Sequence, residues 1–134
     1  MSDRVRDAMV ADPPMLDGGA SAQEAGEALG RPEVRALFVC DDGCLVGVVT
    51  RKTLVRAVVA AGRDPRSTEL RGIAEPPHNT IGSDVPLDEA FHFLEEHDLE
   101  RVPVVEHGKL VGVLSRAVLQ RRLAEDEPPA DVAD

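Results

Sequence analysis

Aromatic residues are nearly absent from this chain: its 134 residues include three Phe and neither Trp nor Tyr. A surface that binds single-stranded nucleic acid stacks bases on such rings, so composition argues against that role. Basic residues are outnumbered, with 15 Lys and Arg against 25 Asp and Glu, a formal net charge of −10. A nucleic-acid backbone would meet a repulsive field, which argues against a polymer partner of that kind. No apolar run approaches the ~18 residues of a membrane-spanning helix, and the opening MSDRVRDAMV lacks the apolar centre of a signal peptide. The expectation is a soluble cytoplasmic protein with no membrane partner. Cysteine is scarce as well: Cys40 and Cys44 flank DDG, and His78, His92, His97 and His107 show no metal spacing with them. Zinc wants four ligands, so two ordinary thiols and no metal are expected.

Hydrophobic residues make up 43% of the chain, enough for one core or two small halves. The chain says nearly the same thing twice. CLVGVVTRKTLVR (44–56) is echoed by KLVGVLSRAVLQR (109–121). Sliding the chain by 65 positions, which takes residue 5 to residue 70, aligns VRDAM with LRGIA, EAGEAL (24–29) with EAFHFL (89–94), and 39–56 with 104–121. No gap is needed, so a supersecondary unit is duplicated and the two copies are expected to cover each other's apolar face.

Each copy begins with a Pro-, Gly- and Asp-rich lead and continues into a helix. Ser21 and Glu24 form an S-x-x-E capping box before AQEAGEAL; Pro86 suits the first turn of the second copy's helix. Leu87, Ala90, Phe91 and Leu94 then form one apolar stripe. A hairpin follows in each copy, its DDG or EHG turn placing Gly where φ is positive. Thr50 and Ser115 are N-caps of closing helices at 51–61 and 116–123, and Gly62 stops the first. The predicted fold is α/β, or α+β by strict accounting, with β-α-β-β-α occurring twice about a pseudo-twofold axis. Repeat one spans 1–61, a linker 62–72, and repeat two 70–123. The acidic stretch 124–134 is expected to be disordered.

The unit with M-x-x-x-P in its lead, EA in its helix, and RVPVVEHGKLVGVLSR (101–116) in its hairpin resembles a cystathionine-β-synthase (CBS) domain. Two in tandem resemble a CBS pair, or Bateman module; the likeness covers about 120 of the 134 residues. Copy one matches less closely, with Phe38 where the family usually has Pro. The resemblance implies a regulatory module with no required cofactor. It implies an adenosine nucleotide, of the AMP, ADP, ATP or S-adenosylmethionine class, in the cleft between repeats. It also implies a homodimer and a separate regulated protein. The carried-over site uses Thr50 and Ser115, with Arg51 and Arg116 beside them for charge-assisted bonds. The base would rest against Val102 and Pro103, or Leu37 and Phe38, with His78 and Asn79 walling the pocket. Leu54, Val58, Leu119 and Leu123 are the candidate dimer seam.

Nucleotide-binding members usually carry an Asp three residues after that Thr or Ser, to clamp the ribose hydroxyls. Here those positions are Thr53 and Val118. Losing a two-bond clamp to a charged acceptor costs on the order of 10- to 1,000-fold in affinity. Copy two is therefore expected to be the poorer ribose binder. The alternative is a ligand-free dimerisation or scaffold module. A catalytic reading is disfavoured: Cys40 with His107 and the Glu95, Glu96, His97, Asp98 cluster read as a core thiol and a solvated helix end.

Overall fold

The computed structural model describes residues 3–126. The chain forms two compact units, each with its own core, and neither follows one repeat from end to end. Pro13–His78 with Gly108–Leu110 form the copy-one unit; among the described residues, 3–12, Asn79–His107 and 111–126 form the copy-two unit.

In the copy-one unit, β2 (Met15–Asp17) runs parallel to β3 (Ala36–Asp41), which turns back antiparallel into β4 (Cys44–Thr50). The turn is Asp42–Gly43, with φ of 51° and 82°. Two consecutive positive φ values are what a two-residue type I′ hairpin demands. Helix α2 (Ala22–Leu29) starts with the expected box: the Ser21 side chain accepts from the Glu24 N–H, and Glu24 accepts from the Ser21 N–H at 2.9 Å. Its Ala22, Ala25 and Leu29 join Leu37, Val39, Val49, Val58 and Leu70 in the core.

The copy-two unit is built alike. Strand β5 (Ile81–Gly82) pairs parallel with β6 (Arg101–Glu106), and β7 (Lys109–Ser115) follows through a His107–Gly108 turn at φ 51° and 82°. Helix α4 (Leu87–Glu96) buries Leu87, Ala90 and Leu94 with Phe91 packed alongside, as the stripe predicts. Pro86 is its N-cap, one residue outside the first turn. The chain's start joins here: α1 (Val5–Ala8) contributes Val5 to this core, and Arg122 holds Asp3 at 2.8 Å.

Each unit borrows the other repeat's lead. Strand β1 (Val10–Ala11) pairs antiparallel with β7, opposite Val113 and Gly112. At the same place in the copy-one unit, Glu75 bridges Val48, with N–H···O bonds of 2.8 and 2.9 Å. The LVGV glycines explain the duplication. A Cβ on Gly47 would stand 2.7 Å from Ala74 Cβ and 2.8 Å from the Glu75 carbonyl oxygen. On Gly112 it would stand 2.6 Å from Met9 Sδ and 2.9 Å from the Val10 carbonyl oxygen. Both glycines make room for a crossing backbone.

The closing helix of copy one begins as α3 (Arg51–Leu54) and continues through a π turn at Val55–Val59, with Ala60 N–H bonded to the Val55 carbonyl at 2.8 Å. It ends at Gly62, φ 70°, where Gly62 N–H reaches Val59 and Arg63 N–H reaches Val58: a Schellman stop. In copy two, α5 (Arg116–Asp126) carries helix into the stretch expected to be disordered from 124; the rest of that tail lies outside the described residues. The seam named from sequence is corrected. Val58 and Leu119 are 4% and 0% exposed, and Leu54 and Leu123 pack against the two cores. A closing helix turns this stripe onto its own sheet, so Val58 and Leu119 offer no surface to a second chain, and Leu54 and Leu123 only a half-buried edge. The large apolar side chains that the copy-one closing helix turns outward are Val55 and Val59, 56% and 72% exposed.

Candidate functional site

In the copy-one unit the end of β4 delivers Thr50 as the N-cap of α3, in extended conformation. Its Oγ1 accepts from the Thr53 N–H at 3.3 Å, and its own N–H donates to Thr53 Oγ1 at 3.0 Å. This is a capping box closed by a Thr where Glu or Gln would be usual. The two hydroxyl oxygens stand 3.1 Å apart, and Thr53 Oγ1 donates to Glu75 Oε2 at 3.2 Å. An ionised carboxylate only accepts, so Thr53 spends its one proton on Glu75, and Thr50 must then donate to Thr53. The proton order is fixed along the row Thr50, Thr53, Glu75. Thr53 is 3% exposed, one of two buried polar side chains among the described residues, whereas Glu75 reaches solvent. The row therefore ends in an exposed acceptor.

Glu75 is a residue that motif reading missed. It sits 22 positions from Thr53, in the lead of the other repeat, and reaches the site because that lead crosses β4 beside Gly47. The one available signal lay in the repeat itself. Thr53 and Glu75 align with Val118 and Val10, so a polar pair in one copy is an apolar pair in the other.

Arg51 does not stand free. Its guanidinium donates to the carbonyls of Arg31 and Val34 at 2.8 and 2.9 Å, tying the α2–β3 loop to the start of α3. A cavity of about 560 Å³ opens there, lined by Gly30, Pro32, Arg35 and Arg51. Of the strand residues expected to meet a base, Leu37 is 3% exposed and belongs to the core, while Phe38 on the opposite face is half-buried. His78 is exposed.

The copy-two counterparts differ in chemistry. Ser115 accepts from the Val118 N–H at 3.4 Å, a longer cap without the reciprocal bond. Val118 is half-buried and Val10 is 60% exposed, so no hydroxyl–carboxylate row exists. Arg116 lies 3.8 Å from Asp98 and 4.0 Å from Glu100, a cation already answered by acids. Val102 is fully buried in the core, Pro103 is half-buried on the other face, and Asn79 is half-buried.

Cys40 packs in the copy-one core at 3% exposure, and burial, with Cys44 and Asp41 nearby, pushes its thiol pKa up. An inert core thiol follows. Asp98 is 98% exposed at the end of α4, as a solvated helix end would be. Among the described residues no group of three or more His, Cys, Asp or Glu could hold a metal ion, and no helix is long and apolar enough to cross a membrane.

The model of the CBS domain matches twice, at residues 5–60 and 70–125. Hypoxic response protein 1 of Mycobacterium tuberculosis is 32% identical over 94 residues, covering 69% of this chain and 66% of that protein, just under two thirds of its length. A crystal structure of Hypoxic Response Protein I with two coordinated zinc ions superposes with a TM-score of 0.75 at 26% identity, covering 90% of this chain and 98% of that one. The structure of CBSX2 in complex with AMP gives a TM-score of 0.71 at 25% identity, over 91% and 96% of the two chains. Two matched copies, one α/β architecture and a glycine-gated crossing in each lead to one conclusion: this chain belongs to the CBS domain family and carries two copies in tandem.

Proposed function

We propose that this CBS pair is a non-catalytic regulatory module that senses an adenosine nucleotide through copy one and signals through a separate protein. The hydroxyl–hydroxyl–carboxylate row of Thr50, Thr53 and Glu75 carries the reading. It presents acceptor capacity at an exposed carboxylate, which suits a ligand group that donates twice: a ribose diol. Glu75 supplies the negative charge that Thr53 lacks, from the crossing lead instead of from the helix. The bound AMP of the CBSX2 structure supports the ligand class.

Calorimetry and thermal shift with adenosine, AMP, ADP, ATP and S-adenosylmethionine test this. A ligand at 100 times its dissociation constant should add about 2.7 kcal/mol to unfolding. Glu75→Val with Thr53→Val, which copies the second repeat, should abolish the shift. If no ligand shifts the intact protein at millimolar concentration, the row is a helix cap and the sensing reading fails.

A second reading has its own observation. Val55 and Val59, one helical turn apart, put two large apolar side chains into solvent. They suit self-association of the closing helix, as in a homodimer or scaffold. Light scattering should give twice the monomer mass, reduced to one by Val55→Asp with Val59→Asp. A native monomer overturns it.

A further inference from the structure

The outer side of the copy-one closing helix is both apolar and cationic. Lys52, Val55, Arg56 and Val59 recur at i, i+3, i+4 and i+7, the spacing of neighbours along one helix face, and all four are exposed. Apolar surface left in water, as on Val55 and Val59, gains free energy when a partner covers it. From Arg51 to Val59 the segment holds three cations and no acid. Copy two does not repeat this face: its aligned positions are Ala117, Gln120, Arg121 and Ala124. Helix α4 has the opposite character. Asp88, Glu89, Glu95 and Glu96 are exposed along it, and no Lys or Arg lies between Leu87 and Glu96. Half-buried Phe93 stands four residues after Glu89 and three before Glu96, so apolar surface lies among the acids. The aligned positions of copy one are Gln23, Glu24, Gly30 and Arg31, so this acidic face also occurs once. Lys52, Arg56, Asp88, Glu89 and Glu96 make no side-chain hydrogen bond or ion pair among the described residues. Lys52 in a first turn, and Glu95 and Glu96 in a last turn, each oppose the dipole of their own helix. Neither set of charges serves the helix that carries it.

We propose that the copy-one closing helix docks on α4 of a second copy of this chain, so that copy one meets copy two across the contact and not another copy one. The inference rests on the self-association reading given above and names the surface that receives Val55 and Val59. Two closing helices meeting each other would set three cations against three, a repulsion that costs affinity and selects against that pairing. Against α4 the same cations face four carboxylates, and the two valines meet the Phe93 ring instead of water. The opposed charges fix which surfaces pair, while the valines supply the area that is taken out of water. Made by both chains at once, the contact closes at a dimer.

Analytical ultracentrifugation of the full chain across a range of NaCl concentrations reads the sign of the charge contact, with no variant needed. Opposite charges attract and salt screens them, so the dimer dissociation constant should rise about ten-fold between roughly 0.05 and 0.5 M. Glu89→Lys with Glu96→Lys should weaken the dimer at least about ten-fold at low salt. Adding Lys52→Glu with Arg56→Glu to the same chain should restore it, and a melting curve of each variant checks that it folds. If salt tightens the dimer, or the α4 reversal leaves it unchanged, docking on α4 is overturned and self-association through another surface pairing stands. A monomer at every salt concentration overturns both.

Discussion

Thr53 donates its hydroxyl to Glu75 at 3.2 Å, across two segments that belong to different sequence repeats. The aligned pair in the other copy is Val118 and Val10. At these two positions one half of this CBS pair carries a hydroxyl and a carboxylate, and the other carries two valines.

Thr53→Val removes a buried hydroxyl that accepts the Thr50 N–H and donates to Glu75. Loss of a capping bond costs about 1 kcal/mol, and the same change should weaken the nucleotide. Val118→Thr at the aligned position should leave unfolding within about 0.5 kcal/mol, because no carboxylate waits there. Urea unfolding of both variants checks the difference.

Gly47→Val and Gly112→Val should each cost about 2–3 kcal/mol, because the new side chain meets crossing backbone on one side and sheet on the other. Gly72→Ala is the control, with nothing within 4 Å of its added Cβ, and should be near neutral. Equal midpoints for all three in denaturant would remove the crossing as the reason for these glycines.

Asp41 accepts two bonds from Arg71, at 3.0 and 3.4 Å, and the arginine holds its carboxyl below the usual carboxylate range. A folded pKa below the unfolded one stabilises above the unfolded value, about 3.9, and that contribution is lost as pH falls through the folded value. An NMR titration should place Asp41 below that ordinary value, and Arg71→Gln should raise it. The stability difference between the two proteins should be small near neutrality, since both groups are exposed, and vanish in acid. An Asp41 midpoint unmoved by Arg71→Gln contradicts the pairing.

Cys40 and Cys44 should differ sharply toward a thiol reagent at pH 8. Cys44 is partly exposed, whereas Cys40 is buried with its pKa raised. One thiol should react in the native protein and two after unfolding. Two equal rates before unfolding would mean that the core opens readily.

Local chemistry made much of this fold readable. Ser21 with Glu24, the Asp42–Gly43 and His107–Gly108 turns, and Gly62 each act within a few residues of chain, so their patterns report directly on structure. Thr50 and Ser115 are legible as helix starts for the same reason. What stayed hidden depends on crossing segments. Glu75 enters the site because a lead passes over β4, and Arg51 is tied to the α2–β3 loop because that loop brings the Arg31 and Val34 carbonyls to it. Leu54 and Val58 read equally well as a seam or a core stripe until the sheet beneath them is known, and the π turn has no sequence signature. Leu37 and Val102 alternate correctly with Phe38 and Pro103, but alternation does not say which face is inward.

The most direct measurement is an amide-resolved titration of the intact protein with ATP. The Thr50, Thr53 and Glu75 signals should shift at the lowest concentrations, with Ser115 and Val118 unmoved. Earlier or larger shifts at Ser115 and Val118, or none anywhere at millimolar ATP, would contradict a single charged receptor in copy one.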